Sequence, residues 1–173
     1  YGGTISQNPA VQAYLTLRLL RNSLDGVDVN TGVGKADDAG NGIAKDDFKY
    51  SEKDRSFYAR NLEVTADNYK DFMDPANTLY ETAQAQLDEG DSAKKKVWLS
   101  IYNSADNFLG STYKPLLEKY APLLNLDLEV VQGDGQNESS ITNKLGNPAD
   151  FDAFAINMVK TDNGASYTSI LGQ

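Results

Sequence analysis

Apolar residues return at helical spacing between Ala10 and Leu24: Ala10, Ala13, Tyr14, Leu17, Leu20 and Leu24. The run follows Asn8-Pro9 and stops before Gly26, which predicts an amphipathic helix capped by Asn8 with Pro9 in its first turn. Ahead of it, "GGTISQ" (residues 2–7) predicts a short strand. From Lys96 onward the pattern becomes regular. "VWLSI" (97–101) predicts a buried strand. A helix follows with Leu109, Tyr113, Leu116, Leu117 and Tyr120 inward, which Pro115 either bends or starts late. Then come a strand in "LDLEVV" (126–131), a helix near 138–146, a strand in "FDAFAINMV" (151–159) and a last helix in "NGASYTSIL". Strands and helices in alternation predict βαβ units, right-handed crossovers and a parallel sheet, an α/β fold.

Residues 27–55 break that order. "DVNTGVGKADDAGNGIAKDD" is rich in Gly, Asp and Asn without a period and predicts a long polar loop. An EF-hand register from Asp37 places Ala39 at the third position and Phe48 at the twelfth, where a glutamate belongs. "GVGKAD" lacks the preceding strand and the Lys-Ser/Thr ending of a phosphate loop. "SFYARNLEV" (56–64) predicts one more strand, and residues 67–90 predict a connector, helical in two pieces broken near Pro75.

Composition narrows the chemistry. The 173 residues carry 16 Lys and Arg against 25 Asp and Glu, a net charge of −9 that repels nucleic-acid phosphates, and no basic stripe offsets it. Lys94–Lys96 reads as a solvated cap ahead of a strand. With no cysteine and no histidine, thiol catalysis, Cys/His zinc sites and histidine acid–base chemistry are excluded. No metal site, cofactor or catalytic residue is assigned. No apolar run approaches the roughly 20 residues of a membrane-spanning helix.

In open parallel sheets ligands bind beyond the carboxyl ends of the strands. That rule selects Tyr102, Asn103, Asp106 and Phe108 after the first strand of the regular block, Asn137 and its neighbours after the second, and Asn157 near the end of the third. Gln7 joins them if "GGTIS" belongs to the same sheet. The set is poor in nucleophiles and rich in hydrogen-bonding groups beside an aromatic face, which suits a neutral sugar. Each residue also has a structural use: Phe108 as core, Asp106 as a helix cap, Tyr102 as packing. "GDGQNE" lacks the last glycine of a dinucleotide fingerprint and follows the wrong strand.

"VWLSIYNSADNFLGS", "VVQGDGQNESSITNKL" and "DFDAFAINMV" together resemble the amino-terminal part of the periplasmic glucose/galactose-binding proteins of the MglB type, a branch of the type I periplasmic binding proteins. "GGTISQNPAVQAYLTLRLLRNSLDG" and "FYARNLEVTADNYKDF" are similar to segments near the carboxyl end of that family. The order is therefore that of a circular permutation, as in spirochaetal lipoproteins of this type. The resemblance implies one lobe of a two-lobed receptor: residues 1–26 and 97–173 form a discontinuous sugar-binding lobe. Residues 27–66 are a loop and a crossing strand belonging with the second lobe, and 67–96 a helical permutation connector.

It further implies a hexose ligand, D-glucose or D-galactose, held by Phe108 as stacking ring, Asp106 as hydroxyl acceptor, Tyr102 lining the cleft and Gln7 at a hinge position, with Asn103 and Asn157 nearby. The implied partners are the second lobe, absent from this chain, and an ABC permease. The implied location is the periplasm, or an extracytoplasmic membrane surface through a lipid anchor outside this chain. The calcium loop of the family has no counterpart here. A sugar-acting α/β enzyme and a sugar-sensing repressor domain remain as alternatives on the same fold.

Overall fold

A computed structural model describes residues 2–29, 33, 48–72 and 93–172. The expected two-piece helix lies mostly outside these residues, as do the EF-hand register and the "GVGKAD" stretch. The regular block folds as its pattern predicts. Strands β5 (Lys95–Ile101), β6 (Leu126–Gln132) and β7 (Ala153–Ile156) form a parallel sheet in the order β6-β5-β7. The central strand β5 aligns Val97 with Leu128 on one side and with Ala153 on the other. Its residues from Val97 to Ile101 are all buried, so each face of the sheet needs its own cover.

Side-chain alternation divides the two covers. Val97, Leu99 and Ile101 enter one cluster with helix α1 (Pro9–Leu24) and helix α2 (Lys114–Tyr120). Ala13, Leu17, Leu117 and Tyr120 are fully buried there, and the Tyr14 and Tyr120 rings meet edge to face at 6.0 Å. Trp98 points the other way, toward Ile141, Leu145 and Tyr167 from the short helix α3 (Ser139–Thr142), the turn after it and helix α4 (Gly164–Leu171). Its ring lies 6.1 Å from that of Phe154 on β7.

Several local expectations are corrected. Lys95 and Lys96 belong to β5 rather than to a cap before it. They pair with carboxylates on neighbouring chain segments, Lys95 with Asp152 and Lys96 with Glu129, each at 3.8 Å. Lys96 also sits 4.4 Å above the Phe151 ring. Helix α3 ends at Thr142 rather than near 146, ahead of Gly146 with φ 66 and the Asn147-Pro148 turn. Strand β7 stops at Ile156 rather than 159, where the Asn157 N–H turns to Ser100 Oγ. Pro115 marks a late α-helical start: a π-helical segment, Leu109–Tyr113, precedes α2, and a residue without an N–H fits that junction. Asn8 adopts φ 54 and makes no side-chain cap, its backbone N–H bonding Ser6 Oγ at 3.1 Å instead.

The expected polar loop contains a strand, β2 (Phe48–Ser51), in a hairpin with β3 (Ser56–Ala59). Tyr50 and Phe57 face each other at 4.6 Å across it, and Phe48 and Phe57 pack onto the core beside α1. The single strand expected over 56–64 is two, β3 and β4 (Leu62–Thr65). Strand β1 (Gly3–Ser6) pairs antiparallel with β4 and does not join the parallel sheet.

Two outcomes test this packing. Leu117→Ala leaves a cavity beneath α2 and should cost about 2–5 kcal/mol in denaturant unfolding. Burial pushes the Tyr14 phenol up to about 12, against a smaller opposing pull from Arg18. The folded state therefore keeps a proton that the unfolded chain releases near its ordinary value of about 10. This contribution is complete below pH 10 and is lost as pH rises toward 12, so Tyr14→Phe should flatten the fall of the unfolding midpoint over that window.

Candidate functional site

The three parallel strands all end at one edge, and their backbone groups there are taken up by side chains. Ser100, fully buried on β5, accepts a bond from the Asn157 backbone N–H at 3.1 Å. Asn157 in turn accepts from the Tyr102 N–H through Oδ1 at 3.2 Å. The ends of β5 and β7 are thus tied by reciprocal bonds. Gly133 continues the ladder on the other side, its N–H reaching the Ile101 carbonyl at 2.7 Å.

The loop after β5 is held by its own polar residues. Asn103 Oδ1 accepts from the Ala105 N–H at 3.1 Å. Asp106 Oδ1 accepts from the Leu109 N–H at 2.9 Å, capping the segment that leads into α2. A carboxylate has a second oxygen, which this cap leaves able to accept another donor. The ring of Phe108 stacks on Tyr113 at 5.9 Å, tilted by only 12°. Gly110 passes so close to Ser104 that a Cβ would stand 2.0 Å from its carbonyl oxygen, so the loop depends on a residue without a side chain.

Beside this loop a small cavity of about 150 Å³ opens between α1 and the ends of β5 and β7. Thr16, Ser100, Tyr113 and Asn157 contribute polar atoms to its wall. The hydroxyls of Thr16 and Tyr113 lie 2.9 Å apart. Burial raises the pKa of the Tyr113 phenol, and the bond with Thr16 partly offsets the rise. The Thr16 hydroxyl donates to the Gln12 carbonyl at 2.9 Å, which leaves its oxygen to accept from the Tyr113 hydroxyl. A larger concavity of about 440 Å³ lies at the opposite, amino end of the sheet, lined in part by Lys94, Glu118 and Asp127. It meets none of the candidate residues.

The edge thus brings together Tyr102, Asn103, Asp106, Phe108 and Asn157. Gln7 stands apart: β1 does not enter the parallel sheet, and Gln7 is exposed, its carbonyl accepting from Gln12 Nε2 at 2.7 Å. Asn137 is also exposed, and its Oδ1 accepts from Ser139 Oγ at 2.7 Å.

Residues 94–164 match the family model of the periplasmic binding protein domain. The match runs from the lysines at the start of β5 to the first residue of α4, so it contains all three parallel strands and the loops at their carboxyl ends. The parallel sheet with helices on both faces is consistent with an α/β lobe of that kind.

Sequence reasoning passed over one member of this edge. Glu138, in the loop after β6, accepts from the Val159 N–H at 3.0 Å, from the Tyr167 hydroxyl at 2.5 Å and from the Asn163 side-chain amide. Burial raises the pKa of the Tyr167 phenol first, and the bond to Glu138 and its negative charge raise it further. The signal was its place beside Asn137, but none of its three donors is a sequence neighbour. Tyr113 reads in the sequence only as an inward helix position, and nothing in the pattern singles out Thr16. Among the described residues no helix is long and apolar enough to cross a membrane, and no group of three or more acidic side chains is placed to hold a metal ion.

The geometry of Gly110 gives a direct check on the loop. Gly110→Ala must displace Ser104 or open the turn, so the Asp106 cap and the Phe108–Tyr113 stack should loosen. Hydrogen exchange at the Leu109 amide reads this out and should accelerate, with the β5 amides unchanged.

Proposed function

We propose that this chain supplies one lobe of an extracytoplasmic solute-binding protein that takes a hexose, D-glucose or D-galactose, and presents it to an ABC permease. The observation that carries the reading is the cluster at the carboxyl edge of the parallel sheet, inside the segment that matches the periplasmic binding protein domain. In this reading Phe108 covers an apolar C–H face of the sugar with the side of its ring turned from Tyr113. Asp106 accepts hydroxyl hydrogens through the oxygen not used for capping. Tyr102, Asn103 and Asn157 line the floor, and Gln7, apart from this edge, keeps only the hinge-side place that the resemblance gives it.

The rest of the site belongs to a second lobe, on the same or a separate chain, since a single edge covers a sugar from one side only. The resemblance adds a division into a sugar-binding lobe over 1–26 and 97–173, a segment of the other lobe over 27–66 and a connector over 67–96, in circularly permuted order, although the β2–β3 hairpin within 27–66 packs against the α1 core. Packing of α1 against α2 and β7 supports grouping the amino-terminal segment with the parallel-sheet lobe. The reading is of a carrier and not an enzyme. What the edge offers is amides, hydroxyls, an aromatic stack and two carboxylates, Asp106 and a Glu138 already occupied by three donors, a set that suits binding a neutral polyol.

Calorimetry on the full-length protein tests this. One of the two hexoses should bind, and Asp106→Ala should weaken it by about tenfold or more, since a hydrogen bond to a charged group contributes about 1.5–3 kcal/mol. Unchanged affinity in Asp106→Ala would remove Asp106 from the site. Binding of neither hexose by the wild type would overturn the sugar assignment.

A further inference from the structure

The Glu138 carboxylate joins parts of the chain that no backbone ladder connects. It sits at the end of the loop leaving β6, whereas its three donors lie beyond β7: Val159 in the loop, Asn163 before α4, and Tyr167 within α4. Strands β6 and β7 are not neighbours in the sheet, because β5 lies between them. Their loops therefore have no mutual register from strand pairing. Glu138 supplies one, through three bonds to an ionised acceptor, a stronger class than neutral bonds. Its position near the start of α4 is also favourable for a negative charge.

We propose that Glu138 is a positioning residue of the ligand edge. Its carboxylate sets the distance between the β6 and β7 loops, and by fixing Val159 it holds Asn157, which carries the Tyr102 amide at the end of β5. The floor of the site is then a chain of four linked groups: Glu138 to Val159, Asn157, and Tyr102. This role rests on the reading of that edge as a ligand site, although the linkage can be measured without a ligand.

The test compares Glu138→Ala and Glu138→Gln with wild type in the full-length protein, by amide hydrogen exchange and by calorimetry with D-glucose and D-galactose. In Glu138→Ala the Val159 and Tyr102 amides should both exchange faster by about tenfold or more, with the α1 amides unchanged, and hexose affinity should fall by a similar factor. Glu138→Gln keeps an acceptor for the Val159 N–H and should restore Val159 protection and part of the affinity. Acceleration confined to Val159 overturns the proposal, because the effect then stops short of the ligand edge. Equal acceleration of every amide, α1 included, also overturns it, since Glu138 would then contribute to general stability only. If Glu138→Ala does not fold, Tyr167→Phe removes a single donor and should accelerate Tyr102 exchange to a smaller degree; no change there counts against the role. If wild type binds neither hexose, the sugar assignment fails, and the exchange pattern alone decides the role of Glu138.

Discussion

Everything in the described lobe depends on β5 being sealed on both faces. A strand with Val97, Leu99 and Ile101 on one side and Trp98 on the other has no face to give to water. It must be central, flanked by strands and covered by helices above and below. Parallel pairing on both edges follows from helical crossovers, and parallel strands send all their carboxyl ends the same way. The loops that carry Tyr102, Asp106, Glu138 and Asn157 gather at one edge for that reason.

At that edge, structural duties and the proposed binding duties fall on the same side chains. A ladder that stops leaves N–H and C=O groups to be satisfied, and in a half-buried setting each orphan costs about 1–3 kcal/mol. Asn157 and Ser100 close the gap between β5 and β7, and Asp106 does the same for the turn into α2. Side chains selected to terminate a sheet are amides, hydroxyls and carboxylates, the same groups that recognise a polyol. The structural reading and the binding reading of Asp106 are thus compatible, since one oxygen serves each.

What could be read from the sequence followed from repetition. The block from β5 to α4 alternates strand and helix with clear apolar runs, and its elements and its edge residues were legible, although α3 ends before 146 and β7 is shorter than 151–159. The hairpin of β2 and β3 was not, because four-residue strands such as "FKYS" carry too little period to stand out from a polar surround. Strand β1 was visible, but its partner was not: its antiparallel pairing with β4 depends on chain geometry that spacing does not encode. Glu138 failed for a related reason. Its value lies in three donors 21 to 29 positions away, and no local pattern marks such a group.

Arg21 has a quieter place in the same architecture. Almost wholly buried on α1, it forms a paired contact with Asp25 and donates to the carbonyls of Ala93 and Asn125. Those carbonyls stand just ahead of β5 and β6, so one guanidinium holds the points where both strands are entered. The entry of the chain into β5 is consequently anchored to α1. A single side chain on α1 thus sets where two parallel strands begin, at the end of the sheet opposite the loops that carry the candidate residues.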